Sequence, residues 1–450
     1  MPSENQSSPS PPWRQILAHW TPDAGAPSQL LAAVDAKSWW PDEEYRHWED
    51  GASQVPHPDL SPDRTWALAQ VRRRLAATSI PQACDPKALA HHACLGLPSI
   101  LATQHELDRF ELGDGKSADW QALLEPLARS SREHEALGTS LLAGCTVDAD
   151  AAREMLRQGR APRSEAEQTV RSSFDALHWV SQQAHRAIDC AGLLELQSRI
   201  LSAGADPDHR GRFRRASERM PVRDESGRVI YEPPPAAALK KRLERLCDYA
   251  ENDDPQSFLH PLVKATLLHY SLAGERPFVD GNGRSARALF HWFLLRQGYA
   301  IFSQLALSPI ILSRQEQYRR AFLHSQHDGD LTYFILFQFA AVKTALNRLR
   351  GARRQGLASL KAMLRGVPGA SGLNHRQQAL LAHAMNRPDT SYTVPAHGQT
   401  HGVVLQTARV DLQGLEAKGF LSKNRAQRAH HWILSNEFVR IMASAQESSS

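Results

Sequence analysis

Along the segment LVKATLLHYSL, apolar or small residues fall at Leu262, Val263, Thr266, Leu267 and Tyr270, the i, i+3, i+4 spacing of an amphipathic helix. Further on, SARALFHWFLLRQG is apolar around most of its circumference, which predicts a helix buried on nearly every side. Helical periodicity also runs from about Asp119 to Ile200. It is interrupted at RQGRAPRSEAE, where Gly159 and Pro162 end one helix and Ser164 can cap the next. Nearer the start, Ser61 precedes Pro62 and an amphipathic run in the manner of a capped helix. Extended structure is expected at SGRVIYEPPP, with Gly227 at a turn, Val229, Ile230 and Tyr231 extended, and Pro233 to Pro235 forbidding continuation. The pattern predicts a mainly α chain with a small β-hairpin.

The chain has 450 residues, 42% hydrophobic and 22% charged, with 10 Trp, 14 Phe and 8 Tyr, which excludes a mostly disordered polypeptide. That length predicts about two to four structural units. We expect a Ser- and Pro-rich disordered tail at 1–12, a helical N-terminal region at 13–118, a central domain at 119–350, a basic linker at 351–372 with a hinge at RGVPGASG, a small domain at 373–440 and a disordered tail at 441–450. The formal charge of +5 is too small to imply a nucleic-acid partner by itself, but between Asp330 and Asp389 there is no acidic residue, so positive charge is concentrated there. Cys84, Cys94, Cys145, Cys190 and Cys247 are widely spaced, with neither C-x-x-C nor zinc spacing, and suggest a reducing, cytoplasmic compartment. No run reaches the 18 to 20 apolar residues of a membrane span, and no signal peptide is expected. His91, His92 and Cys94 lack a second ligand pair and are not assigned to metal.

The segment that carries chemistry is GERPFVDGNGRSARALFHW, residues 274–292. Asp280-Gly281-Asn282-Gly283-Arg284 lies between two helix patterns. Gly281 and Gly283 open backbone conformations closed to other residues, and the amides of the new helix point into the loop as an anion cradle. Asp280 offers a hard carboxylate for Mg²⁺, Asn282 an amide donor, and Arg284 and Arg287 two guanidinium forks for phosphate oxygens.

With Arg276, Pro277, Phe278, Asp280, Gly281, Asn282, Gly283, Arg284 and Arg287, the segment resembles the motif H-x-F-x-(D/E)-G-N-G-R-x-x-R of the Fic (Fido) family, whose members typically transfer AMP from ATP to a protein hydroxyl. Further stretches, among them AREMLRQGRAP, FLHPLVKATLLHYSLA, QEQYRRAF and DLTYFILFQF, extend the likeness over about residues 45–435. The resemblance implies a helical Fic/Fido core. It assigns Asp280 to Mg²⁺, Asn282 and the glycine amides to the α- and β-phosphates of ATP or another nucleoside triphosphate, and Arg284 and Arg287 to the outer phosphates. Phe278 would pack inward, and Val229, Ile230 and Tyr231 would form the flap that aligns a target strand. The chain departs from the pattern twice. Arg276 stands where the family has the general-base His, and arginine is not deprotonated in proteins. In related chains an inhibitory helix of the form (S/T)-x-x-x-E-(G/N) places a Glu on the last motif arginine; here Thr139, Ala143 and Gly144 occupy that frame without a carboxylate, which predicts an Arg287 free for nucleotide. The expected function is nucleotide binding of the AMP-transferase class, with the usual transfer to Ser, Thr or Tyr lost or altered. A non-catalytic, nucleotide-responsive DNA-binding regulator, or altered phosphate chemistry using Arg276, remain open alternatives.

The last segment reads helix, short helix, helix, then two strands around a basic hairpin, the order of a winged helix-turn-helix. Its third helix is expected to bury Leu405, Ala408, Leu412 and Leu415 and expose Gln406, Thr407, Arg409, Gln413 and Lys418. Gln406 and Arg409 are the candidates for DNA bases, with Lys423, Arg425 and Arg428 of the wing on phosphates. The target protein and a homodimer are left open by the residues.

Overall fold

The computed structural model describes residues 11–19, 45–48, 61–80, 83–85, 91–112, 118–201, 205–223, 226–253, 258–365, 372–386, 390–401, 403–426 and 429–440. They divide into two compact units, one from Met1–Glu106, His134–Gly298 and Leu307–Lys343, the other from Leu107–Glu133, Tyr299–Ala306 and Thr344–Ser450. The fold is mainly helical. Among the described residues the sheet structure is three two-stranded antiparallel pairs.

The first unit is built around the two helices anticipated from the pattern, Pro261–Glu275 and Asn282–Arg296. Both are buried nearly all round, and Phe290, Trp292 and Phe293 are among the largest fully buried side chains. The helix Cys190–Ile200 approaches closely: a Cβ on Gly192 would lie 2.7 Å from the Trp292 ring, so only glycine fits. Ser164 caps the helix Glu165–Gln182 by accepting from the Glu167 amide at 3.1 Å, and Gly159 ends the preceding helix with φ 66°. At Pro62–Leu75 the helix starts on Pro62 as expected, but the Ser61 hydroxyl makes no cap bond; the Thr65 hydroxyl donates to the Ser61 carbonyl instead. The expected hairpin is present as Val222–Arg223 paired with Val229–Tyr231, with a register shift at Val222/Arg223 and Gly227 turning at φ 82°. A second hairpin, Thr78–Ile80 with His91–Ala93, had no legible alternation in sequence.

The helix Thr332–Arg365, whose residues from Thr344 onward belong to the second unit, runs through the first part of the stretch expected as a linker, which is therefore helical up to Arg365. Alanine, leucine and arginine there favour helix enough to carry it past Gly351 and Gly356. Residues 366–371, where the hinge was placed, lie outside the described residues, as do 1–10 and 441–450.

Helices His375–Asn386, Val394–His401 and Leu405–Ala417 and the strands Leu421–Ala426 and Ala429–Leu434 follow in winged-helix order. They share a core that includes Leu381, Ala384, Leu412, Leu415, Phe420 and Trp432. Ala408, Leu412 and Leu415 are buried as expected, but Leu405 is 57% exposed. It sits in the first turn, beyond the edge of that core, beside Val404, which is 71% exposed. Gln406, Arg409, Gln413 and Lys418 are exposed and Thr407 is half-buried. The helix is fixed by a residue the pattern did not mark: buried Asp411 accepts from Arg376 (2.6 Å) and Asn374 (2.7 Å) and lies 3.3 Å from His397. Those contacts hold its carboxyl below the ordinary range against the opposing effect of burial.

Candidate active site

The loop from Arg276 to Asp280 is set by what ends one helix and starts the next. His260 caps the first helix, its Nδ1 accepting from the Leu262 amide at 3.0 Å, with Pro261 at the first helical position. The helix ends at Arg276 with φ 43° and ψ 56°, the left-handed conformation. Among the described residues Arg276 is the one non-glycine with positive φ, a conformation that costs about 1–3 kcal/mol and persists where the surroundings impose it. The imposing groups are visible. Buried Arg214 donates from Nε to the Arg276 carbonyl (2.8 Å), from its amide to the Pro277 carbonyl (2.8 Å), and from its guanidinium to the Pro234 carbonyl. One residue earlier, Glu275 takes both arms of Arg242 at 2.7 and 2.8 Å, and Arg242 also donates to Asp85 at 2.8 Å.

Arg276 is half-buried and its Nε is enclosed without a hydrogen-bond partner. Burial lowers its pKa, with the Tyr231 hydroxyl opposing and the Arg214 charge adding to the shift. The guanidinium stays charged. Tyr231 of the hairpin donates to the Gly274 carbonyl at 2.9 Å, and burial followed by the Glu275 charge pushes its own pKa up to about 12.

The far end of the loop is held from inside. Asn282 Oδ1 accepts from the Phe278 amide (2.9 Å) while Nδ2 donates to the Phe278 carbonyl (2.7 Å). The side chain expected to donate to phosphate is thus committed to the backbone of the loop. Phe278 is fully buried and stacks on Phe213 with ring centroids 6.2 Å apart, in keeping with its expected inward packing. Asn282→Ala is expected to cost about 1–3 kcal/mol, because it leaves the buried Phe278 amide unsatisfied. The shift in urea midpoint measures it.

Gly281 caps the motif helix at φ 84°, a conformation only glycine takes readily. Gly283 is helical, contrary to the expectation of an unusual backbone; its lack of a side chain serves close approach, since a Cβ would lie 3.1 Å from Arg287 Nη1. Asp280 is exposed, one carboxylate oxygen accepting from the Gly281 amide at 2.5 Å and the other pairing with Arg284 Nη2 at 2.8 Å. Arg284 is buried and also donates to the Ile200 carbonyl at 3.2 Å. These residues bring together one carboxylate and a helix N-terminus.

Arg287 corrects an expectation. It is 7% exposed and not free: Nε donates to the Thr139 hydroxyl (2.7 Å), Nη2 to the Thr139 carbonyl (3.1 Å), and the Tyr318 hydroxyl also bonds to it. The loss of a carboxylate at position 143 leaves Arg287 bound through the first residue of the same frame. Ala143 and Gly144 are exposed and lie past the helix end at Leu142, Gly144 turning the chain at φ 86°. Beneath Arg287, fully buried His269 lies 3.0 Å from the Tyr318 hydroxyl and 3.2 Å from the Gln338 amide. Burial, with the charges of Arg287 and His291 adding, drives its pKa down to about 3. The helical pattern of LVKATLLHYSL does not by itself single out His269. Its partners lie 49 and 69 positions away, and the ties from Arg214 and Arg242 span 62 and 33, so no local spacing could reveal them.

Residues 187–294 match the family model described as Fic/DOC family. The chain carries a Fic domain. Within it lies the whole loop from Arg276 to Arg287. A stretch of 165 residues is 33% identical to Protein adenylyltransferase Fic of Drosophila melanogaster, covering 36% of this chain and 30% of that protein. The Drosophila virilis protein of the same name is 35% identical over 146 residues, 26% of its length. The chain thus matches less than a third of these relatives. In fold, it is similar to a Fic family protein from Desulfovibrio desulfuricans G20 (TM-score 0.50, 21% identity, 75% of this chain and 96% of that one). It is similar also to Fic-1 of C. elegans (TM-score 0.50, 20% identity, 68% and 81%).

Beside the Fic loop is a cavity of about 370 Å³, walled by Cys84, Tyr231, Pro233, Tyr249, Tyr270 and Glu275 among others. It shares Tyr231 with the hairpin and Glu275 with the helix end that sets Arg276. Among the described residues no three His, Cys, Asp or Glu side chains cluster to hold a metal, and no helix is long and apolar enough to cross a membrane.

Proposed function

We propose that the Fic domain binds a Mg-nucleoside triphosphate, ATP in the first instance, at Asp280–Arg287, and that AMP transfer to protein Ser, Thr or Tyr hydroxyls is lost because Arg276 stands at the position of the general base. The observation that carries this reading is the loop itself: an open helix N-terminus beside an exposed carboxylate. The donor set suits magnesium, which needs one or two carboxylates and takes its other ligands from phosphates and water. Asp280 would hold the ion by exchanging its contact with Arg284, and the ion would neutralise phosphate charge. Gly283 and Arg284 amides would take phosphate oxygens, while Arg284, once released by Asp280, would turn to the outer phosphates. Arg287 reaches them only by giving up Thr139.

One observation favours recruitment of Arg276 over simple loss of a base. A decaying position would turn its side chain to solvent, whereas Arg276 keeps an enclosed Nε without a hydrogen-bond partner. Such a guanidinium suits electrostatic stabilisation of phosphate charge. Incubation with α-labelled ATP, Mg²⁺ and candidate target proteins tests the proposal: the unaltered chain should label none of them, and labelling would overturn the lost-transfer reading.

We further propose that the winged helix is a DNA reader. Gln406, Arg409 and Lys423 are exposed, although Lys423 also lies over the Trp432 ring at 5.4 Å. Arg428 and the side chain of Arg425 lie outside the described residues. DNA binding should weaken with salt, and Arg409→Ala should reduce affinity about tenfold if it contacts a base; an electrophoretic shift indifferent to both would contradict contact there.

A further inference from the structure

We propose that Cys190 and Cys247 form a dithiol site, which low-molecular-weight disulfides oxidise to an intramolecular disulfide. All five cysteines are free, and these two bring their Sγ atoms to 4.0 Å although 57 positions apart in the chain. Cys94 and Cys145 instead donate to the carbonyls of Arg73 and Ala166. A disulfide requires about 2.05 Å between the sulfurs, so closure needs a movement of about 2 Å, within reach of side-chain rotation.

The two thiols occupy unlike places. Cys190 is the first residue of the helix Cys190–Ile200, whose cap Asp189 accepts from the Gly192 amide at 2.7 Å; its sulfur lies at a helix N-terminus and is half-buried. Helix amides at that end favour thiolate. The Cys247 contact lowers the Cys190 pKa, against burial and the carboxylates of Glu244, Asp189 and Asp248. Cys247 is 6% exposed within Leu239–Glu251, and its contact with Cys190, with burial, pushes its thiol up. Cys190, the more exposed of the two and the one at a helix N-terminus, is the attacking group, and buried Cys247 the resolving one. The Cys190 thiolate attacks one sulfur of a small disulfide RSSR, forming a mixed disulfide as RS⁻ leaves. The Cys247 thiol loses its proton and attacks the Cys190 sulfur, and the second RS⁻ leaves. In sum, two thiols and RSSR give the protein disulfide and two RSH.

The site joins the two helices that brace opposite ends of the Fic loop. From Cys190–Ile200, Gln197 donates to the Asp280 carbonyl at 3.2 Å and the Ile200 carbonyl accepts from Arg284. From Leu239–Glu251, Arg242 grips Glu275. A covalent tie between them stiffens the frame of the loop whatever the loop binds.

The test is treatment of the full chain with oxidised glutathione, followed by alkylation and proteolysis without reduction. The expected product is one peptide pair joining Cys190 to Cys247, with Cys84, Cys94 and Cys145 alkylated. Cys247→Ser should stop at a glutathione adduct on Cys190, and Cys190→Ser should take up none at position 247. In the oxidised chain, amide exchange at 276–285 should slow at least fivefold. A lasting Cys190 adduct in the unaltered chain, a different pairing, or no loss of thiols would overturn the dithiol site. Unchanged exchange in the disulfide form would overturn its tie to the loop.

Discussion

Arg276→His is expected to bring labelled AMP onto a target protein where the unaltered chain leaves none. A positioned general base contributes about 10²–10⁴ in rate, or about 3–5 kcal/mol of barrier, and by the resemblance this is the part the loop lacks. The backbone is ready for it. Histidine enters the left-handed region more readily than most residues, so the φ of 43° that strains arginine suits the replacement. The bonds from Arg214 to the Arg276 and Pro277 carbonyls are made to the main chain and survive the change. Adding Ala143→Glu should lower the labelling again, since a carboxylate one turn past Thr139 competes with nucleotide for Arg287. Scintillation counting of the target band compares the chains; a silent Arg276→His variant that still binds ATP would place the deficit elsewhere in the loop.

Acid should weaken the Fic domain through His269. Its folded pKa of about 3 lies below the ordinary value of about 6.5, so above pH 6.5 both folded and unfolded forms are neutral and the contribution is at its maximum. Between pH 6.5 and 3 the unfolded chain binds a proton that the fold excludes. Stability then falls by about 1.4 kcal/mol per unit, about 2 kcal/mol by pH 5 and about 5 kcal/mol by pH 3. Urea unfolding at pH 7 and pH 5, compared between the unaltered chain and His269→Gln, isolates the term. An NMR titration in which the His269 ring takes up a proton above pH 5 would contradict the assignment.

Much of this was legible in the residues. The all-round apolar run after Gly283 announced a buried helix, the proline-stopped VIY run a strand of a hairpin, and the last segment its order of three helices and two strands. Glycines at 159 and 281 and the cap at Ser164 read correctly because their effects are local. What failed depended on distant partners. Nothing near Arg287 marks Thr139 as its acceptor, and Asn282 looked like a ligand donor until the backbone of Phe278 was seen to occupy both its groups. Leu405 fits the helical stripe but extends past the core it would have entered, because periodicity gives a direction and not the extent of the neighbour. The helix to Arg365 overrode a linker reading based on charge, since basic residues do not themselves break helices.

The central claim is that the loop holds a Mg-nucleotide through Asp280 and the helix N-terminus. Equilibrium binding of labelled ATP to the unaltered chain and to Asp280→Ala, each with Mg²⁺ and with chelator, tests it most directly. Asp280 is itself exposed but pairs with buried Arg284, so circular dichroism of the variant accompanies the binding measurement to separate lost binding from lost fold. The account predicts saturable binding by the unaltered chain that falls at least tenfold in the variant and likewise on chelation; no binding, or equal binding by both chains regardless of Mg²⁺, would contradict it.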